Sequence, residues 1–232
     1  MNSLSPNHDP RPDNVPVDIL LVHYTGMPDC ASALTRLCDP AAQVSAHYVI
    51  DEDGTIYRLV PEDRRAWHAG LSYWQGDRDI NSRSIGVELV NPGHEWGYRA
   101  FPAVQIDAFA ALALDLMGRH GILPHRVLGH ADVAPSRKED PGELFDWQSL
   151  ARQGVGVWPE PQPADDGPLD PNALQTLLAR YGYDTATPAA LTAFQRHFHA
   201  QALGCDWTPE TARRLRALVR HAEKVARTPP HP

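Results

Sequence analysis

Four stretches of this sequence carry residue types that can do chemistry together. His23 ends an apolar run, Asp18 to Tyr24 (DILLVHY), and His130 stands in Gly129-His130-Ala131-Asp132. The segment that follows His130 closes on Lys138, Glu139, Asp140, Pro141 and Gly142, and Glu88 interrupts the apolar run Ser84 to Val90 (SIGVELV). Histidine is the commonest zinc ligand, and a catalytic zinc typically takes three protein ligands and keeps a position for water. A carboxylate on a Pro/Gly-shaped loop, with a lysine two residues before it, suits a third ligand and a cation aimed at one cavity. Taken singly, each histidine reads more readily as a hydrogen-bonded structural residue than as a ligand. Glu88 in an apolar strand is costly unless paired or used; its bland partner is Arg83.

The elements that must position these groups are legible in outline. Residues 18–24 read as a buried strand, 29–38 as a helix capped by Asp29, and 44–50 and 55–59 as strands joined by the turn Asp51-Glu52-Asp53-Gly54. A further strand spans 84–90, where alternation puts Gly86, Glu88 and Val90 on one face. A helix covers 102–119 between Pro102 and the glycines 118 and 121. A brief strand at 126–128 and a short helix at 146–152 complete an α/β unit: a central mixed β-sheet flanked by helices. Residues 157–170, rich in proline and acid, read as a linker. Beyond them three amphipathic helices (171–181, 188–200, 208–222) start beside Asp170-Pro171, Thr187-Pro188 and Thr208-Pro209, as caps and first-turn prolines should. The expected division is an irregular segment 1–17, a catalytic domain 18–156, the linker, a small three-helix domain 171–222 and a tail 223–232. With a core on either side, a cut near Pro161 should leave the first domain folded.

Composition narrows the partners. Of 232 residues, 42% are hydrophobic and 22% charged, with a formal net charge of −8, which argues against a nucleic-acid partner. The N-terminal segment has no secretory pattern, and no apolar run is long enough to span a bilayer. Cys30 and Cys38 flank a helix that would hold their Cα atoms roughly 12 Å apart, too far to bridge; with Cys205 they read as buried or half-buried thiols.

The segments VHYTG (22–26), SAHYVID (45–51), RAWHAG (65–70), SIGVELVN (84–91) and GHADVAPSRKEDPG (129–142) resemble the successive motifs of the zinc N-acetylmuramoyl-L-alanine amidases. That family includes phage lysozyme-type amidases, the AmpD and AmiD enzymes and the peptidoglycan recognition proteins. The resemblance implies Zn2+, one per chain, held by His23, His130 and Asp140, with Glu88 as general base and Lys138 stabilising the oxyanion. Some relatives have cysteine at the Asp140 position, so aspartate shifts the resemblance towards the AmpD and AmiD subgroup. The implied substrate is peptidoglycan or its muropeptides, cut at the muramoyl–L-alanine amide. His47, Trp67 and His68 are candidates for substrate binding, with a purely structural role for either histidine equally open; the other eight histidines, His94 and His197 among them, read as surface or packing residues.

The C-terminal helices resemble the three-helix peptidoglycan-binding domain through Leu174-Gln175, Leu178, Tyr181-Gly182-Tyr183, Ala190-Leu191, Phe194-Gln195 and residues 206–215. Tyr183-Asp184-Thr185-Ala186 replaces that domain's usual turn. Packing against the amidase, or dimerisation, is the alternative use. Competing functions are a non-catalytic wall receptor, a D,D-carboxypeptidase (whose motifs, like HExxH, are absent) and a cytoplasmic amidase that recycles anhydro-muropeptides. A wall-binding domain favours the cell envelope; the missing secretory pattern favours the cytoplasm.

Overall fold

The run Ile19 to Val22 lies fully buried at the centre of the molecule, described by a computed structural model for residues 5–158 and 160–227. The strands are β1 (His8–Pro10), β2 (Ile19–Tyr24), β3 (Tyr48–Ile50), β4 (Ile56–Arg58), β5 (Arg64–Ala66), β6 (Ser84–Leu89) and β7 (Val127–Gly129). The helices are α1 (Cys30–Cys38), α2 (Ile80–Arg83), α3 (Gly93–Trp96), α4 (Ala103–His120), α5 (His130–Val133), α6 (Trp147–Arg152), α7 (Pro171–Tyr181), α8 (Ala189–Phe198) and α9 (Pro209–Arg227). The main sheet has the order β4-β3-β6-β2-β7. Its last four strands run parallel, and β4 is antiparallel to β3 at the edge. The expected mixed sheet with flanking helices is therefore present.

Parallel strands need cover on both faces, and alternation divides β2 between two cores. Leu20 and Val22, with Ile85, Val87 and Leu89 of β6, pack against Phe109, Ala113 and Leu116 of α4. Ile19 and Leu21, with Leu128 of β7, join Trp74, Ile80 and the apolar faces of α7, α8 and α9 through Leu174, Leu178, Phe194 and Leu215. The three C-terminal helices thus share one buried cluster with the sheet. This differs from the two separate cores read from sequence: an amphipathic helix looks the same whether its stripe meets a sister helix or a sheet.

Local signals mostly hold. Asp29 caps α1 by accepting from Ser32 N at 2.8 Å, and Gly54, at φ +86°, closes the β3–β4 turn with Asp51. β3 is shorter than the expected 44–50: Ser45 N donates out of the sheet to Trp67 O, while His47 N still donates to Gly86 O of β6. The segment before residue 18 is not irregular throughout. β1 pairs with β5, and the Arg11 guanidinium donates to the carbonyls of Glu62, Asn81, Ser82 and Ser84. α9 continues to Arg227, so the expected tail begins as helix; its residues 228–232 lie outside the described ones. Cys30 is buried and Cys38 half-buried, but Cys205 is exposed, contrary to expectation.

Candidate active site

The sheet order places the chemistry. β6, β2 and β7 lie side by side and parallel, so their carboxyl ends share one edge, where open α/β sheets form their crevice. His23 pairs in register with Glu88, on the face that carries Leu21 and Gly86. Val22 pairs with Gly129, so His130 leaves β7 level with His23 as the chain turns into α5. Asp140 arrives on the following loop, tied back by Ala131 N donating to its carbonyl at 2.9 Å. His23 Nδ1, His130 Nδ1 and Asp140 Oδ2 consequently form a triangle 3.0 Å on each side. All three residues are buried. A tetrahedral ion with bonds of about 2.0–2.1 Å holds its ligand atoms roughly 3.3 Å apart, so this triangle fits a metal ion.

The outer nitrogens fix the rings. His130 Nε2 lies 3.0 Å from Ala69 O, a fixed acceptor, so its proton sits on Nε2 and Nδ1 is left as the donor of a lone pair. His23 Nε2 meets His68 Nδ1 at 3.1 Å, and His68 Nε2 meets Ser84 Oγ, which donates to Ile80 O. Read from that carbonyl backwards, each proton has one place: Nε2 on both rings. His68 fits only because residue 86 is glycine; a Cβ there would lie 2.5 Å from its Cγ.

The electrostatics separate the groups. Burial, then repulsion from His130, lowers the His23 pKa to about 4. Burial opposes ionisation of Asp140, but His130 and His23 outweigh it and hold its carboxyl well below the usual range. Glu88 behaves oppositely: burial first, then Asp140, raises it well above an ordinary carboxyl, while Lys138 pulls it down. Its side chain is half-buried and lines the cleft, and Oε2 has no hydrogen-bond partner among the described residues. Arg83 is occupied by Asp18 and Asp77 instead, so the bland partner for Glu88 falls away.

A cleft of about 360 Å³ gathers His23, Glu88, His130, Lys138 and Asp140 with Trp67 and His68. Trp67 is half-buried, its Nε1 donating to Asp9 at 2.7 Å. His47 does not reach the cleft. It is fully buried, its Nδ1 accepting from Gly86 N and its Nε2 3.0 Å from Arg64 O. Its ring is held between the backbone of β6 and the Arg64 carbonyl, which is the structural role. Sequence reasoning missed Tyr24 and His94, which line the cleft 2.9 Å from each other. Tyr24 has the wrong parity for that face and reaches it only as the last residue of β2, and His94 lies in the one-turn α3, which offers no periodicity.

His47 supplies a pH prediction. Burial, then Arg11, lowers its pKa to about 3, against about 6.5 when unfolded. Its contribution is complete above about pH 6.5 and drains away as pH falls towards 3, where the unfolded chain binds the proton that the native one refuses. The melting temperature of metal-free protein should be level from pH 8 to 7 and fall below about 6.5. A level profile down to pH 4 would contradict the assignment.

Residues 13–143 match the model of the family described as N-acetylmuramoyl-L-alanine amidase. The chain is similar to the N-acetylmuramoyl-L-alanine amidase AmiD of Escherichia coli strain K12, at 40% identity over 88% of this chain and 82% of that one. It is also similar to the 1,6-anhydro-N-acetylmuramyl-L-alanine amidase AmpD of that strain, at 36% identity over 62% and 85%. Among solved structures, E. coli AmiD in complex with the substrate anhydro-N-acetylmuramic acid-L-Ala-D-gamma-Glu-L-Lys superposes with a TM-score of 0.81, at 37% identity and covering 91% and 92% of the two chains. AmpDh3 of Pseudomonas aeruginosa gives the same TM-score at 30% identity, over 96% of this chain and all of that one. The family match spans the strands and loops that assemble the cleft, and its relatives extend it across nearly the whole chain: this protein belongs to the N-acetylmuramoyl-L-alanine amidase family.

Proposed function

We propose that the chain hydrolyses the amide bond between N-acetylmuramic acid, or its anhydro form, and the L-alanine of the stem peptide, with one zinc ion held by His23, His130 and Asp140. The observation that carries this is the 3.0 Å triangle of ligand atoms beside a carboxyl with a partnerless oxygen. Two imidazoles and a carboxylate suit zinc. When bound, zinc supplies Lewis acidity towards a water and the scissile carbonyl. Glu88 takes the water's proton and delivers it to the alanine nitrogen as the C–N bond breaks. Its raised proton affinity suits an acceptor, and Lys138 keeps the ionised form within reach. Lys138, which lines the same cleft, would offset the charge that gathers on the carbonyl oxygen, a contribution typically worth about 3 kcal/mol. His68 holds His23 in its tautomer, and Trp67 walls the cleft against the sugar or peptide.

The C-terminal helices bind the wall polymer in this reading. They would raise the enzyme's local concentration on its substrate, which favours the cell envelope as its place of work. Among the described residues no helix is long and apolar enough to cross a membrane.

Digestion of purified sacculi and of soluble anhydro-muropeptides, with mass analysis and metal assay, tests the reading. Peptides beginning with L-alanine should appear from both, with one zinc per chain and no activity after chelation. Full activity in metal-stripped protein would sink the zinc assignment, and products with alanine still on the sugar would sink the amidase. Attack on soluble fragments alone would move the enzyme to cytoplasmic recycling.

A further inference from the structure

Asp132, two residues past His130, is almost wholly buried, and its carboxylate accepts three hydrogen bonds. One comes from the backbone: Gly129 N donates to Oδ2 at 2.7 Å, closing the turn on which His130 stands. The other two come from the C-terminal unit, one from the loop after α7 and one from α8. Tyr183 Oη donates to Oδ1 at 2.6 Å, and His197 Nδ1 lies 2.7 Å from Oδ2. His197 is clamped in turn, its ring stacked on Trp147 at 3.9 Å. From the same helix Arg196 pairs with Glu139 at 3.3 Å and Glu143 at 3.7 Å, on either side of Asp140. Little slack remains in the turn: a Cβ on Gly129 would come within 2.8 Å of Pro141, the residue after Asp140.

We infer that the C-terminal helices complete the metal centre, with Tyr183 and His197 as positioning residues that hold His130 on its ligand vertex by way of Asp132. A carboxylate buried without its donors leaves costly unsatisfied atoms. The turn must then relax to find water, and His130 moves with it. The helices therefore serve the chemistry as well as the tethering proposed for them. The inference rests on the reading of His130 and Asp140 as ligands.

The test compares full-length wild type with Tyr183→Phe, His197→Ala, His197→Asn and Arg220→Ala. Zinc affinity is measured by competition with a chromogenic chelator, beside melting temperature and KM for a soluble muropeptide. Tyr183→Phe and His197→Ala should weaken zinc binding by about 10- to 100-fold, the usual cost of losing an outer partner of a metal site, with little change in KM. In His197→Asn the amide nitrogen can donate from the place of Nδ1, and most of the affinity should return. Arg220 of α9 holds the buried Asp165 of the segment before α7; Arg220→Ala should melt lower yet keep wild-type affinity. Zinc bound equally tightly by every variant overturns the inference. So does an equal loss in Arg220→Ala, which would trace the effect to general loosening of the helices. Wild type that takes up no zinc overturns the ligand reading together with it.

Discussion

With the proposed roles of zinc and Glu88, Glu88→Gln should keep the metal, fold as wild type does and lose between about 100- and 10,000-fold in kcat, the usual worth of a positioned base. Glutamine has the shape of glutamate but cannot take a proton from water. Nothing structural depends on the charge: Glu88 has no ion-pair partner among the described residues, and Arg83 is engaged elsewhere. Removing a carboxyl that burial already disfavours should leave the melting temperature unchanged or raise it, as at many functional positions. Elemental analysis, thermal melts and steady-state rates on a soluble muropeptide decide the matter. Metal loss in the variant would make Glu88 a ligand, and an unchanged kcat would move the base to another residue.

Ending the chain at Pro161 should fail to give a folded enzyme. The cut removes α7, α8 and α9 and uncovers the face of the sheet that carries Ile19, Leu21 and Leu128, along with Trp74 and Ile80. Each large apolar side chain brought from full burial to water costs about 1.5–3 kcal/mol. Together these five approach the whole stability of an ordinary domain, about 5–15 kcal/mol. The cut also strips Asp132 of two donors. The truncated protein should be insoluble or, if recovered, melt without a cooperative transition, as circular dichroism and calorimetry would record. A soluble, zinc-loaded fragment that cuts small muropeptides at nearly the full rate would show the helices to be separable after all.

Much of the site could be read from the residues because strand alternation and chain order fix it. His23 and Glu88 each end or interrupt an apolar run, and neighbouring parallel strands bring such positions together. His130 follows a third run of the same kind. The residue type of His47 leaves its role open, since it says nothing about which way the ring turns; the bond it accepts from Gly86 N holds the ring against β6, outside the cleft. The joint core is concealed for a different reason. The apolar stripes of α7, α8 and α9 declare that something is buried, and only the bare face of β2 declares what. The anchoring of the N-terminal segment leaves no periodicity at all, since it rests on Arg11 and Asn7 side chains reaching backbone carbonyls.

The pairing of β2 sets when the proposed zinc ion can enter. Its neighbours in the sheet are β6 and β7, at residues 84–89 and 127–129, so the ligand triangle closes only after contacts between distant parts of the chain have formed. Such contacts are late and slow to assemble. An ion that needs all three ligands binds the finished native state and stabilises it by mass action. Zinc should therefore slow unfolding while leaving the refolding rate nearly unchanged, protecting the enzyme's lifetime and contributing little to its birth.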